Sequence, residues 1–94
     1  MLAAMTKRVR VLVSGSVQGV GFRWYCRDEA ARRSVGGFVR NLPDGRVEAG
    51  FEGDPAAVDA MVSWCRDGPS WARVSDVEVI DEPPLGEEGF VITR

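Results

Sequence analysis

Residues 15 to 23 read Gly15-Ser-Val-Gln-Gly-Val-Gly-Phe-Arg23 and stand between a run that alternates and a run that recurs at helical spacing. A strand must therefore pass through a glycine-rich loop and enter a helix within a few residues. Glycines let consecutive backbone N–H groups turn inward without Cβ clashes, and a helix N-terminus adds positive partial charge. An arginine at the end of such a loop can grip two oxygens of one phosphate. The segment therefore reads as an anion cradle, with plain turn chemistry as the competing reading. The spacing departs from two commoner phosphate loops. No Gly-Lys-Ser/Thr closes it, and Gly15, Gly19 and Gly21 are spaced four and two rather than as in a dinucleotide fingerprint.

On either side, the periodicities give an order of elements. Lys7 to Ser14 alternates, with Val9, Val11 and Val13 on one side, and predicts a strand. Phe22, Tyr25, Cys26 and Ala30 recur at helical spacing through about Arg33, and Gly36-Gly37 is the expected stop. Phe38 to Leu42 predicts a second strand, Pro43-Asp44-Gly45 a tight turn, and Val47, Ala49 and Phe51 a third strand. Phe22 and Phe38, which begin or continue apolar faces, read as core side chains. Asp54-Pro55 has the chemistry of a helix start, with Val58, Met61, Val62 and Cys65 as the buried stripe and Gly68-Pro69 as the stop. A fourth strand is expected near Arg73 to Ile80, a break at Glu82-Pro83-Pro84 and a short last strand from Phe90 to Thr93.

This order is βαββαβ with an extra terminal strand. It predicts an α+β, ferredoxin-like split sandwich with two helices on one face of an antiparallel sheet. The first and third strands then lie side by side at the centre, with the second beside the third. That geometry brings Arg40, Asn41 and Leu42 to the sheet end that carries the glycine loop. Residues 1–6 read as a flexible segment and 7–94 as a single domain.

Ninety-four residues allow one modest core, which points to a small substrate. No apolar run approaches the roughly 18 residues of a membrane span, and no export signal is evident, so no membrane partner and a cytoplasmic location are expected. The net charge of −2 hides an asymmetry: residues 1–46 carry nine basic and three acidic side chains, and 47–94 carry three and eleven. Arg23, Arg40 and Arg46 are thus candidates to converge on an anion, the alternative being a solvated surface of matched charges. An acidic chain of this kind is a poor nucleic-acid binder. Cys26 and Cys65 form no CxxC and the chain has no histidine, so neither a metal nor a cofactor is expected and the thiols read as small buried hydrophobes.

The stretch Gly15–Arg23 resembles the first signature of acylphosphatases, and Gly37-Phe-Val-Arg-Asn-Leu-Pro-Asp-Gly-Arg-Val-Glu48 resembles the second. Gly68-Pro69, Ala72-Arg73-Val74 and Phe90 extend the likeness over nearly the whole chain. Two departures stand out: Ser16 where an arginine or lysine is frequent, and Arg33-Ser34 in place of the usual Leu-Gly. The resemblance implies a metal-independent hydrolase that cleaves small acyl phosphates to a carboxylate and inorganic phosphate, working as a monomer. It implies that Arg23 binds the phosphoryl group and Asn41 orients the attacking water. Ser16, Val17, Gln18, Gly19, Val20 and Gly21 are then the phosphate-binding loop. Read on its own chemistry, Gln18 either braces the loop through side-chain amide bonds or faces solvent.

The reaction fits the composition. The leaving carboxylate has a conjugate-acid pKa of about 4 and departs unprotonated, so no general acid is required. Two rivals share the fold: a non-catalytic phosphate-sensing or regulatory module, and a stand-alone relative of the acylphosphatase-like domains in larger carbamoyl-transferring proteins. RNA-reading and metal-carrying versions of the fold are disfavoured, because the first strand offers valines instead of aromatic rings and no cysteine pair follows it.

Overall fold

Three valines at alternate positions decide which side of the sheet becomes the core. In the computed structural model, which describes residues 5–94, Lys7–Ser16 forms β1 and buries Val9, Val11 and Val13 on one face. Phe22–Arg32 forms α1, Gly36–Asn41 β2, Val47–Gly53 β3, Pro55–Asp67 α2, Arg73–Glu82 β4 and Phe90–Ile92 β5. Of the segment expected at 1–6, residues 1–4 lie outside the described residues, while Met5 and Thr6 are exposed before β1.

The strand order is β4-β1-β3-β2-β5, with β1 and β3 central as expected. The first four strands pair antiparallel, and β5 joins β2 in parallel, which makes the sheet mixed. Both helices cover the valine face. Val47, Ala49 and Phe51 of β3, Val39 of β2 and Phe22, Cys26, Ala30, Val58, Met61 and Cys65 of the helices complete the core. Cys26 and Cys65 are free, buried thiols, and burial followed by contact with Cys65 pushes the Cys26 thiol up.

Three local expectations fail, each for a tertiary reason. Gly36 and Gly37 do not end α1; they open β2. A Cβ at Gly36 would strike the Glu87 carbonyl oxygen and one at Gly37 the Gly50 carbonyl oxygen, so both glycines serve close backbone approach between strands. The helix instead stops on Ser34, whose φ of 56° is left-handed, with the Val35 N–H donating to the Ala30 carbonyl at 2.9 Å. Tyr25 has the spacing of the buried stripe but is 53% exposed. Phe38, read as core, lies on the open face over Gly50, because alternation along β2 assigns Val39 and not Phe38 to the helix side.

That open face is polar and self-paired. Arg8, 4% exposed, donates to Glu52 at 3.0 Å and meets Glu82 and Glu87 at 3.4 and 2.7 Å. Glu52 also accepts the N–H groups of Leu85, Gly86 and Glu87 at 2.8, 2.6 and 3.1 Å, anchoring the segment that leads into β5. Burial pushes the Glu52 carboxyl up, but these N–H groups and Arg8 outweigh it and hold it below the usual carboxylate range.

A carboxylate whose folded pKa lies below its unfolded value adds stability that is full above the unfolded pKa, about 4.3, and is lost as pH falls through the folded one. Glu52→Ala is therefore expected to cost about 3–5 kcal/mol at neutral pH, as for a broken buried pair. Its urea-unfolding free energy should also fall less steeply than that of the wild type below about pH 4.5. Parallel pH profiles would rule out Glu52 as a source of acid sensitivity.

Candidate active site

The loop between β1 and α1 follows from a conflict between strand and helix dihedrals, which its glycines resolve. Ser16 is the last residue of β1 rather than part of the loop, and it pairs with Arg73 of β4. Val17 turns its side chain into the core, 1% exposed, and pins the loop from beneath. Gln18 is half-buried, Gly19 takes φ 74°, Val20 packs against the core, and Gly21 caps α1 with φ 81°.

The two helix starts differ in a way that matters. The Asp54 carboxylate accepts the Ala56 N–H at 3.2 Å and so caps α2. The start of α1 has a glycine, no side-chain cap and no acidic residue in its first turn. Among the described residues, no carbonyl or side chain takes up the N–H groups of Val17 to Phe22. These donors are left unpaired at the positive end of the helix dipole, an arrangement that favours a bound anion.

Arg23 is the second residue of α1, half-buried beside this start. Lys7 and Arg8, Arg10, Arg27, Arg32, Arg33, Arg40 and Arg46 each have a carboxylate within ion-pair distance. Among the described residues of the basic first half, Arg23 alone has none. This corrects the expectation that Arg40 and Arg46 converge with it. Arg40 lies on the open face, 2.6 Å from Glu48, and Arg46 folds back on Asp44 at 2.9 Å within the β2–β3 turn. The Arg46 backbone N–H and guanidinium in turn hold the Asp44 carboxyl below its ordinary range.

Asn41 ends β2 at the same sheet end as the glycine loop, because β1 and β2 both run antiparallel to β3. It shares the helix-facing side with Val39, two residues earlier. Its Oδ1 is buried with no hydrogen-bond partner among the described residues. Buried acceptors are nearly always paired, so an unpaired one beside an anion cradle is a free acceptor for a ligand or water. Gln18 couples the two parts. Its Nε2 donates to the carbonyls of Leu42 and Arg46 at 2.8 and 2.9 Å, lashing the loop to the turn that follows Asn41.

One cation escaped sequence reasoning. Arg73, paired with Ser16 across β1 and β4, stands at the entrance of the loop with no carboxylate within ion-pair distance among the described residues. The positive charge missing at Ser16 is thus present on the neighbouring strand. A cross-strand register separated by 57 positions leaves no local signal.

The model of the family described as acylphosphatase matches residues 9–92. The chain belongs to the acylphosphatase family. It is 62% identical over 91 residues to an acylphosphatase of Rubrobacter xylanophilus, covering 96% of this chain and 83% of that protein. It is 57% identical over 83 residues to an acylphosphatase of Chloroflexus aurantiacus, covering 88% and 90%. The crystal structure of acylphosphatase from Bacillus subtilis superposes with a TM-score of 0.90 at 36% identity, covering 96% of this chain and all of that one. The ferredoxin-like βαββαβ order read from the periodicities is the fold of this family.

Proposed function

We propose that the hydrolysis of acyl phosphates by this chain proceeds by in-line attack of a water aimed by Asn41 on a phosphoryl group held by Arg23 and the Val17–Gly21 loop. The observation that carries the assignment is the coincidence, at one sheet end and among the described residues, of an uncapped helix start, an arginine without a carboxylate and an unpaired buried carboxamide oxygen.

The chemistry asks little of the protein. Phosphoryl transfer is catalysed mostly by positioning and by neutralising charge on the non-bridging oxygens. Arg23 and the free N–H groups supply that charge. Asn41 accepts a hydrogen bond from water through Oδ1, fixing the line of attack without removing a proton outright. The water oxygen bonds to phosphorus as the phosphorus bond to the acyl oxygen breaks. The carboxylate leaves with that electron pair, and both protons of the water end on the product, released as dihydrogen phosphate. Neither a metal nor an organic cofactor enters this scheme, which uses donors within the chain only.

Further parts of the reading follow the same reasoning. Residues 7–94 act as one unit, the protein is a cytoplasmic monomer, and its partners are a small acyl phosphate and inorganic phosphate, with no nucleic acid or membrane. Among the described residues no helix is long and apolar enough to cross a membrane.

The test is phosphate release from acetyl phosphate and benzoyl phosphate, with p-nitrophenyl phosphate as control. Turnover of the two mixed anhydrides far ahead of the ester is expected, since p-nitrophenolate is more basic than a carboxylate and so the poorer leaving group. Phosphate binding without turnover would favour a sensor instead.

A further inference from the structure

Tyr25 keeps helical spacing with Phe22 and Cys26, yet its ring is exposed, and what it does instead is line a cleft of about 230 Å³. The cleft lies between α1 and the connection from α2 to β4. Tyr25 and Trp64 give it aromatic walls, Pro69 and Ser70 line it from the connection, and Asp28, Glu29 and Arg32 add charged groups. Glu29 is already neutralised by Arg32 and Arg33 at 2.7 and 2.8 Å, and Asp28 by Arg27 at 3.3 Å. Charges paired among themselves leave the flat apolar walls as the cleft's remaining feature.

The cleft adjoins the cradle through two contacts. The edge of the Tyr25 ring lies against Gly21, 3.2 Å from where a Cβ of that residue would sit. The Trp64 ring meets Phe22 edge-on at a centroid distance of 5.3 Å, immediately before Arg23. The Tyr25 ring is thus shared, one edge against the Gly21 end of the loop while the ring lines the cleft.

We propose that this cleft receives the acyl group of the substrate and favours a flat aromatic one, with Tyr25 and Trp64 as specificity-determining walls. The volume suits a single ring, and an aromatic face against Tyr or Trp is stabilised beyond its burial by about 0.5–1.5 kcal/mol, which corresponds to about two- to tenfold in affinity. The proposal rests on the acyl phosphate reading above and extends it to the choice of acyl group.

Two variants of the full chain test it. Ser70→Trp fills the cleft from an exposed position, and Tyr25→Ala removes one wall; circular dichroism confirms that each is folded. The quantity read is kcat/KM for benzoyl phosphate divided by kcat/KM for acetyl phosphate, whose methyl group is too short to use the walls. The ratio should fall about tenfold in Ser70→Trp and several-fold in Tyr25→Ala, mainly through KM for benzoyl phosphate. A folded, active pair of variants with the wild-type ratio overturns the acyl cleft alone. A wild-type protein inert on both substrates overturns the underlying activity and the cleft with it.

Discussion

Asn41→Ala is expected to lower kcat by about two to three orders of magnitude with little change in KM, the scale of losing one preorganised polar group. The same substitution should leave the melting temperature unchanged or raise it. Asn41 Oδ1 is a buried acceptor without a partner among the described residues, and such an atom costs free energy in the folded state that alanine does not incur. Loss of activity without loss of stability is the signature of a group kept for chemistry rather than for folding. Asn41→Asp sharpens the result. It retains an acceptor for water but sets a negative charge beside the incoming dianion, so KM should rise as well. Steady-state kinetics and thermal denaturation on the same preparations measure both quantities. An unchanged kcat in Asn41→Ala would remove the residue from the mechanism.

The second large effect is at Arg23. Arg23→Gln should abolish measurable binding of inorganic phosphate by calorimetry and reduce kcat/KM for acetyl phosphate by at least about a thousandfold, since both ground state and transition state lose their guanidinium. Arg23→Lys keeps the charge without the planar two-pronged donor and should fall between. A structural role predicts the reverse pattern, with stability lost and phosphate affinity kept. The control for generic charge is Arg40→Gln. Arg40 is tied to Glu48 on the far face of the sheet and should leave phosphate affinity within about twofold of wild type, because the charge it removes is already compensated. Retained affinity in Arg23→Gln would overturn the assignment.

Much of this architecture was legible in local patterns. Val9, Val11 and Val13 alternate and form a central strand; Asp54-Pro55 starts a helix by capping and preset φ, and the structure has the Asp54 carboxylate on the Ala56 N–H. The Gly15–Arg23 stretch likewise marked the loop, whose glycines at 19 and 21 take positive φ. The misreadings arose where local chemistry permits two outcomes. Two adjacent glycines suit a helix stop as well as a close strand crossing, and only the Glu87 and Gly50 carbonyls decide between them. Phe38 and Val39 are both apolar, and the phase of one strand against its neighbours chose which faced the helices. Tyr25 shares the helical spacing of Phe22 and Cys26, and only the folded chain shows it exposed beside the cleft.

Sequence alone determined the order of elements and the position of the glycine loop, because dihedral preference and side-chain periodicity act over a few neighbouring residues; Arg23 and Asn41 were singled out as a pair by the resemblance of their two stretches and not by periodicity. Tertiary structure alone decided which of the many cations is available to a ligand. Each of the other basic residues between Lys7 and Arg46 finds a carboxylate, several of them across strands, as Arg8 does with Glu52 and Arg10 with Glu48. Availability is a property of what surrounds a charge after the chain has folded, and no local pattern encodes it.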